Sequence, residues 1–391
     1  MPSRAAWVEI DLGAIAHNYG EIRKYIRHEA KLCAVVKADA YGHGAIAVAR
    51  KAIAAGAEYL AVATISEALK LREAGFTTPL LILGLTKPES SFDIVDADLT
   101  QTVCRIDLVQ ALSAEATAQG KRVKVHIAVD TGLGRIGVRP EDAADFAKKI
   151  TALPGIELEG IFSHFALADI EDKSFSRHQI KLFQIACTGV EAAGIHIPLR
   201  HIAESAAILD LPDVHFDMVR AGILQYGLWP SNEVAHPFHL RPAMKFCARI
   251  VYIKTISPGT SIGYGRHFIA ERETRIATIS VGYADGYIRA YACGAVEIRG
   301  KRAAIAGRIA AEIYQLSFAA ECIEDEPNNT TRFLVMGHQE TGRSGNDKTS
   351  LVVSAPNRAG AVTSLLQPFT ELGISMTKFE SRPSKSVLWE Y

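Results

Sequence analysis

Along the first 235 residues, short apolar runs alternate with Ala-rich stretches whose apolar positions recur at helical spacing. The runs occupy residues 32–36, 59–63, 80–83, 102–104, 123–129, 158–162, 200–202 and 218–224. Stretches such as 66–73 and 141–150 carry the helix pattern between them. Buried strands of a parallel sheet read as continuous apolar runs, and amphipathic helices read at a period of 3.6. Eight strand–helix units predict a parallel (β/α)8 barrel. A doubly wound open sheet is the competing architecture, but it gives no reason for this count, and no GxGxxG follows the first strand. Ahead of the barrel, residues 7–12 alternate apolar and polar side chains as a strand does. Asp11 is placed to cap a helix running to about residue 27.

Near His236 the alternation changes. Residues 244–256, 274–281 and 295–298 read as strands joined by turns such as Ser257-Pro258-Gly259, with no long helix between them. This predicts a second, mainly β domain made of residues 1–10 and 236–302, with the barrel at 11–235. Past residue 302 the pattern changes again. An Ala-rich helix is expected at 303–316, a polar loop at 324–331 and a linker at 342–347. Strand, helix, strand and a partial strand follow at 349–354, 360–372, 374–380 and 387–391. This is an α+β tail.

Composition narrows the function classes. The 391 residues carry 43 Lys+Arg against 43 Asp+Glu, so no global field recruits nucleic acid. No apolar run is long enough to span a bilayer, and the N-terminus lacks the apolar core of a signal peptide. The six cysteines (33, 104, 187, 247, 293 and 322) show no CxxC and no pairing with histidine suited to a metal. A cytoplasmic protein with reduced thiols is expected, with no metal, nucleic-acid or membrane partner.

The candidate chemistry starts at Lys37. It ends the first barrel run, where such folds keep their reactive groups. Desolvation there lowers an amine's pKa and makes it a nucleophile toward carbonyls and a base. A lysine at a strand end is more often simply solvated, and here the string decides. Val36-Lys37-Ala38-Asp39-Ala40-Tyr41-Gly42-His43-Gly44 resembles the lysine motif of the alanine racemases, which use pyridoxal 5'-phosphate. The resemblance covers residues ~7–302 and several separate motifs.

That resemblance implies a role for each matching residue. Lys37 would carry the cofactor and serve as the base on one face of the substrate. Tyr264, in Ser261-Ile262-Gly263-Tyr264-Gly265-Arg266, would be the base on the other. A phenol with pKa of about 10 needs help near neutral pH, and the family supplies it from His164 and Arg220. A guanidinium keeps its proton, so Arg220 would leave the cofactor's ring nitrogen unprotonated and favour proton transfer over transamination. Tyr41, Ser205 and the N–H groups of Gly222 and Ile223 would hold the phosphate. Family members commonly carry Asn where Glu204 stands, and Glu204 is given no role. Arg135 would clamp the substrate carboxylate. Many racemases buttress that arginine with a carbamylated lysine at the position of Ala128, so the buttress is missing or replaced here. Tyr283 resembles a tyrosine at the site mouth, with a β-domain core aromatic as an equal alternative. Ala311 stands where a backbone N–H contacts the substrate carboxylate, and Glu312 replaces an aspartate. His126, His178 and His196 are expected in structural or surface roles. The family's arrangement implies a homodimer with shared active sites and alanine as substrate.

From about residue 303 the chain resembles the end of a bacterial prephenate dehydratase. The carriers are Ala310-Ala311-Glu312-Ile313-Tyr314, Thr331-Arg332-Phe333, Gly360-Ala361 and Glu380-Ser381-Arg382-Pro383. This implies a dehydratase-like helix, loop and linker at 303–346, then a truncated ACT-like segment at 347–391 and a chimeric chain. The dehydratase's large lobe is absent, so Thr331 is expected to have no catalytic role. The leading expectation is an alanine racemase whose activity the foreign C-terminus could impair. A non-catalytic chimera binding phenylalanine through the tail, and a pyridoxal-phosphate decarboxylase of similar architecture, are the alternatives.

Overall fold

The protein's structure, a computed structural model, describes residues 5–282, 285–287 and 295–306, with the Tyr264 side chain left out. Eight strands form one parallel sheet: β2 (Lys31–Val35), β3 (Tyr59–Val62), β4 (Leu80–Ile82), β5 (Thr100–Val103), β6 (Val123–Ala128), β7 (Ile156–Phe162), β8 (Leu199–His201) and β9 (Met218–Ala221). β2 pairs with both β3 and β9, and pairing continues in order from β3 to β8. The seam between β8 and β9 carries two backbone bonds. Asp217 N–H donates to Arg200 O at 3.1 Å, and Arg220 N–H to Ala203 O at 3.0 Å. The barrel is therefore nearly closed, and every apolar run expected to be a strand falls on one. The run at 218–224 stops at Ala221, because the chain turns at Gly222 into a 3-10 turn over Ile223–Tyr226.

Two apolar layers follow from strand alternation. Outward-facing residues such as Leu32, Leu60, Leu80, Val125 and Ile161 pack against the helices. Helix Ala143–Thr151 meets that layer with Ala143, Phe146, Ala147 and Ile150, the spacing of one helical face. Inward-facing Cys33, Val35, Tyr59, Ala61, Leu81, Leu199 and Met218 fill only part of the barrel interior. Buried His126, His201 and Arg220 occupy the side formed by β6 to β9.

Strand β1 (Ala6–Ile10) pairs antiparallel with β10 (Met244–Ala248), so the N-terminal strand belongs with the C-terminal β elements. Asp11 then accepts a bond from Ala14 N–H at 3.0 Å and caps helix Leu12–Tyr25. The expected single strand at 244–256 divides at Arg249. Residues before it pair with β1, and β11 (Ile250–Ile256) pairs with β14 (Thr274–Ile279). Between these lies the short pair β12 (Ser261–Ile262) and β13 (Phe268–Ile269).

The last described elements, β15 (Ala295–Ile298) and β16 (Lys301–Ala304), form a hairpin that corrects the helix expected from residue 303. Ala303 and Ala304 lie opposite Val296 and Ala295. Arg299 and Gly300 both take positive φ, 51° and 74°, the geometry of a two-residue hairpin turn. That turn outweighs the helix preference of the alanines after it. The remaining tail elements expected after residue 306 lie outside the described residues.

Candidate active site

The candidate residues gather at the C-terminal ends of the barrel strands. A cavity of about 250 Å³ is lined by Lys37 and Tyr41 beyond β2, Ala128 at the end of β6, Arg135 in the next loop, His164 beyond β7, and Arg220 and Gly222 at the end of β9. Glu204 lines it too. Ser205 and Ile223 adjoin it through their neighbours. Tyr264 opens the turn Tyr264–Arg266 and is described in its backbone only, while Tyr283 and Ala311 lie outside the described residues.

The lysine segment is held by backbone geometry that its sequence does not announce. Ala38, Asp39, Ala40 and Tyr41 all take φ between 51° and 56° before Gly42 at 81°. A left-handed turn costs L-residues about 1–2 kcal/mol each, so the surroundings must impose it. Glu67 is one anchor: its carboxylate accepts from Ala38 N–H at 2.6 Å, Ala63 N–H at 2.8 Å and Thr64 N–H at 3.0 Å. The same residue completes a capping box with Thr64 at helix Ile65–Glu73. Asp39 accepts from Ala45 N–H at 2.8 Å. On the other side, Gln225 Nε2 and the Tyr226 hydroxyl both donate to Val35 O, at 2.6 and 3.0 Å. Lys37 is half-buried, and burial together with the nearby Arg135 and Arg220 cations pulls its pKa down. That shift favours the neutral, nucleophilic amine.

Arg135 is exposed in a loop that Asp130 folds, accepting from Gly132 and Gly134 N–H at 2.9 and 3.0 Å. Gly137 closes the loop: a Cβ there would lie 2.3 Å from Asp130 N. Gln179 Nε2, from helix Ser174–Ala192, donates to Thr131 Oγ1 and to His164 O, both at 3.1 Å. One side chain thus holds both the Arg135 loop and the His164 backbone.

Arg220 is 2% exposed. Its terminal nitrogens donate to His201 Nδ1 at 2.7 Å and His201 O at 3.1 Å, and to Ser163 O at 2.9 Å, Ile202 O at 3.0 Å and His164 Nδ1 at 3.4 Å. Burial lowers its pKa to about 10, still far enough above neutrality for it to stay charged. His164 must accept from it, and burial plus the Arg220, Arg135 and Lys37 charges push the imidazole down to about 3. It is neutral at any working pH.

These buried neutral groups set a pH dependence. Burial also lowers the pKa of His126 and His201. An unfolded histidine binds its proton near pH 6.5, whereas folded His164 resists until about 3. In that window the unfolded chain holds more protons, so this stability is complete above 6.5 and drains as pH falls. Glu159 adds the same sign. Burial alone would raise it, but bonds from His126, Lys124 and Tyr59 hold it at about 2, so its contribution is lost as pH falls from 4.5 toward 2. Thermal unfolding is therefore expected to show a midpoint falling by about 5 °C or more between neutrality and pH about 4. A midpoint flat across that range would contradict the neutral histidines.

The fit to a phosphate-bearing cofactor is tested at Gly222. Its N–H donates to Ser205 Oγ at 3.0 Å. A Cβ on Gly222 would lie 3.4 Å from both the Ser205 and Tyr41 hydroxyl oxygens. The missing side chain leaves room beside two hydroxyls and a backbone turn, a cradle for an oxyanion. Lys37 and Arg220 line the same cavity, and together these residues fit the cofactor. Family models match the chain in two parts: "Alanine racemase, N-terminal domain" over residues 10–230, and "Alanine racemase, C-terminal domain" over 243–351. The chain belongs to the alanine racemase family. An alanine racemase of Desulfovibrio desulfuricans is 47% identical over 307 residues, 78% of this chain and 83% of the relative. One from Desulforamulus reducens is 46% identical over 306 residues, with the same coverage. The solved alanine racemase of Clostridium difficile superposes with TM-score 0.74 at 37% identity, covering 79% of this chain and 81% of that one. A histidine racemase from Leuconostoc mesenteroides superposes with TM-score 0.69 at 29% identity, covering 75% and 79%. As a member of this family the chain is a pyridoxal-phosphate-dependent isomerase. The C-terminal match crosses residues 303–346, which the sequence alone assigned to a dehydratase-like segment.

Three features escaped the sequence. Glu204 caps helix Ser205–Asp210, accepting from Ala206 and Ala207 N–H at 2.7 and 3.1 Å. His201 bonds Arg220 directly, and Glu159 is tied to it through His126 and His201, although His126 was expected only in a structural or surface role. The alternation Lys124, His126, Ala128 along β6 was the available signal, since inward positions of a barrel strand are normally apolar.

Proposed function

We propose that the chain interconverts L- and D-alanine, with Lys37 and Tyr264 as the bases on opposite faces of the substrate. The observation that carries this is the gathering of Lys37, Arg135, His164, Arg220 and the Gly222 cradle around one cavity. Pyridoxal phosphate, when bound, delocalises negative charge from the substrate's α-carbon. Lys37 would hold the cofactor and move a proton on its own face. Tyr41, Ser205, Gly222 and Ile223 would hold the phosphate. Arg135 would pair with the substrate carboxylate through its forked donors. His164 accepts from Arg220 through Nδ1, so its Nε2–H is free to donate toward the Tyr264 oxygen and stabilise the phenolate. Tyr283 and the Ala311 backbone belong to the substrate side of this proposal. The test is conversion of L-alanine to D-alanine by the purified chain with added cofactor. Activity lost on Tyr264→Phe, with the cofactor retained, supports the two-base assignment. Equal turnover of histidine would move the substrate assignment away from alanine.

Glu204 should weaken the hold on the phosphate. It lines the cavity next to Ser205, and burial raises its pKa. An ionised carboxylate there opposes an incoming dianion. Glu204→Gln is expected to tighten cofactor binding about five- to tenfold, on the order of 1 kcal/mol. Equilibrium titration of the cofactor-free protein checks this, and unchanged or weaker binding contradicts it.

We further propose a cytoplasmic homodimer with shared sites. Supporting the dimer, β11 exposes Ile250, Val251, Tyr252 and Ile253, with Tyr252 at 60%. No helix among the described residues is long and apolar enough to cross a membrane. Sedimentation across a dilution series reads the assembly. For residues after about 303, the strings shared with a prephenate dehydratase and its ACT domain support a chimeric tail, against the racemase match that reaches residue 351. Calorimetric titration with phenylalanine separates the two, since only an ACT-like tail gives it a site.

A further inference from the structure

A chain of hydrogen bonds runs from Arg220 through the barrel interior to a carboxylate that lies outside the cavity lining. Arg220 Nη1 is 2.7 Å from His201 Nδ1, His201 Nε2 is 2.9 Å from His126 Nδ1, and His126 Nε2 is 3.1 Å from Glu159 Oε2. The two ends dictate every proton between them. A guanidinium has no acceptor, so His201 Nδ1 must accept and its proton sits on Nε2. That N–H donates to His126 Nδ1, so the His126 proton also sits on Nε2. It donates to Glu159, which as a carboxylate can only accept. Both imidazoles are neutral, and no bond in the series opposes another.

The surroundings hold this order in place. Glu159 Oε2 also accepts from the Tyr59 hydroxyl at 2.6 Å, and Oε1 from Lys124 Nζ at 2.8 Å. The Phe162 ring stacks on His201 with centroids 5.0 Å apart and planes 7° from parallel. Among the described residues no carboxylate forms an ion pair with Arg220, and Glu159 reaches it only through the two rings.

We propose that Glu159 is a positioning residue for Arg220, acting through the fixed proton order of His126 and His201. If either ring reversed, an N–H of His201 would face an N–H of Arg220. The guanidinium would then have to leave its place between His201 and His164. The inference rests on the proposed function and on Arg220 serving the cofactor's ring nitrogen, as the family resemblance implies.

The experiment is nitrogen NMR of the histidine rings in the full-length protein loaded with pyridoxal phosphate, with His126→Asn and His201→Asn variants used only to assign signals. Both rings should show protonated Nε2 and bare Nδ1 near neutral pH. Glu159→Leu removes the acceptor. It should shift the His126 ring signals and lower kcat about tenfold or more, with KM for alanine within about twofold. Glu159→Gln keeps an amide oxygen for His126 once Lys124 swings aside, and should preserve both the ring order and kcat to within about threefold. An Nδ1–H on either ring in the unaltered protein overturns the proposal. So does a Leu variant with displaced ring signals and unchanged kcat, or a Gln variant that loses kcat while the ring order holds. The ring signals are read without turnover, so a chain that fails to racemise alanine counts against the reaction and leaves the proton order independently measurable.

Discussion

Lys37→Ala is expected to lower conversion of L- to D-alanine by about four orders of magnitude or more, because it removes a nucleophile and a base at once. The fold should survive. Lys37 is half-buried at the barrel mouth, and the turn that presents it is held by Glu67, Asp39, Gln225 and Tyr226, not by the lysine. Its amine sits near the Arg135 and Arg220 cations, so deletion also relieves like-charge repulsion. The thermal midpoint should stay within a few degrees of the parent, or rise. Lys37→Arg sharpens the result, since it keeps a cation but supplies no group that can lose a proton at working pH. Both variants should fail in a chiral assay, and both should lose bound cofactor on gel filtration. Activity above one hundredth of the parent in either would remove Lys37 from the chemistry.

That lysine was legible because its string is distinctive, and the barrel was legible because eight apolar runs separated by helical stretches fit few architectures. What the string does not reveal is how the lysine is held. Ala38 and Ala40 have no intrinsic preference for left-handed backbone, and the anchors that help impose it come from Glu67 and Gln225, far away in sequence. Period-two patterning places residues on a strand face but not across the barrel. His126 on β6, Glu159 on β7 and His201 on β8 become neighbours only when those strands pair, with Glu159 at the register shift between Leu158 and Gly160. The hairpin at residues 295–304 escapes the pattern for a different reason. Two adjacent positive-φ residues, Arg299 and Gly300, decide it, while Ala303 and Ala304 speak for helix. Comparing Glu204 with an expected asparagine hides its local work as a helix cap.

The second large effect is expected at Arg220, and it should separate folding from chemistry. Arg220→Ala takes the guanidinium donors from the carbonyls of Ser163 and Ile202, leaves His201 O with only the Ser163 N–H, opens a void beside Phe162, and removes the cation that orders His201 and His164. Stability should fall by about 3–5 kcal/mol, from the buried carbonyls that lose donors and from the void. Arg220→Lys is the more informative change. An ammonium keeps the charge but has three donors on one atom, against five in a planar fork. It can satisfy some of the carbonyls near β7 and β8, but it cannot also span His201 and His164 on opposite sides. The fold should therefore recover much of the loss while activity stays low. Released from its donor, His164 Nδ1 would no longer be compelled to accept, and its support for the Tyr264 oxygen would weaken. Denaturant unfolding and kcat measured on the same two variants check this. If the lysine variant regains activity in step with stability, Arg220 serves packing alone. If stability returns and kcat does not, the forked geometry of the guanidinium is what the site requires.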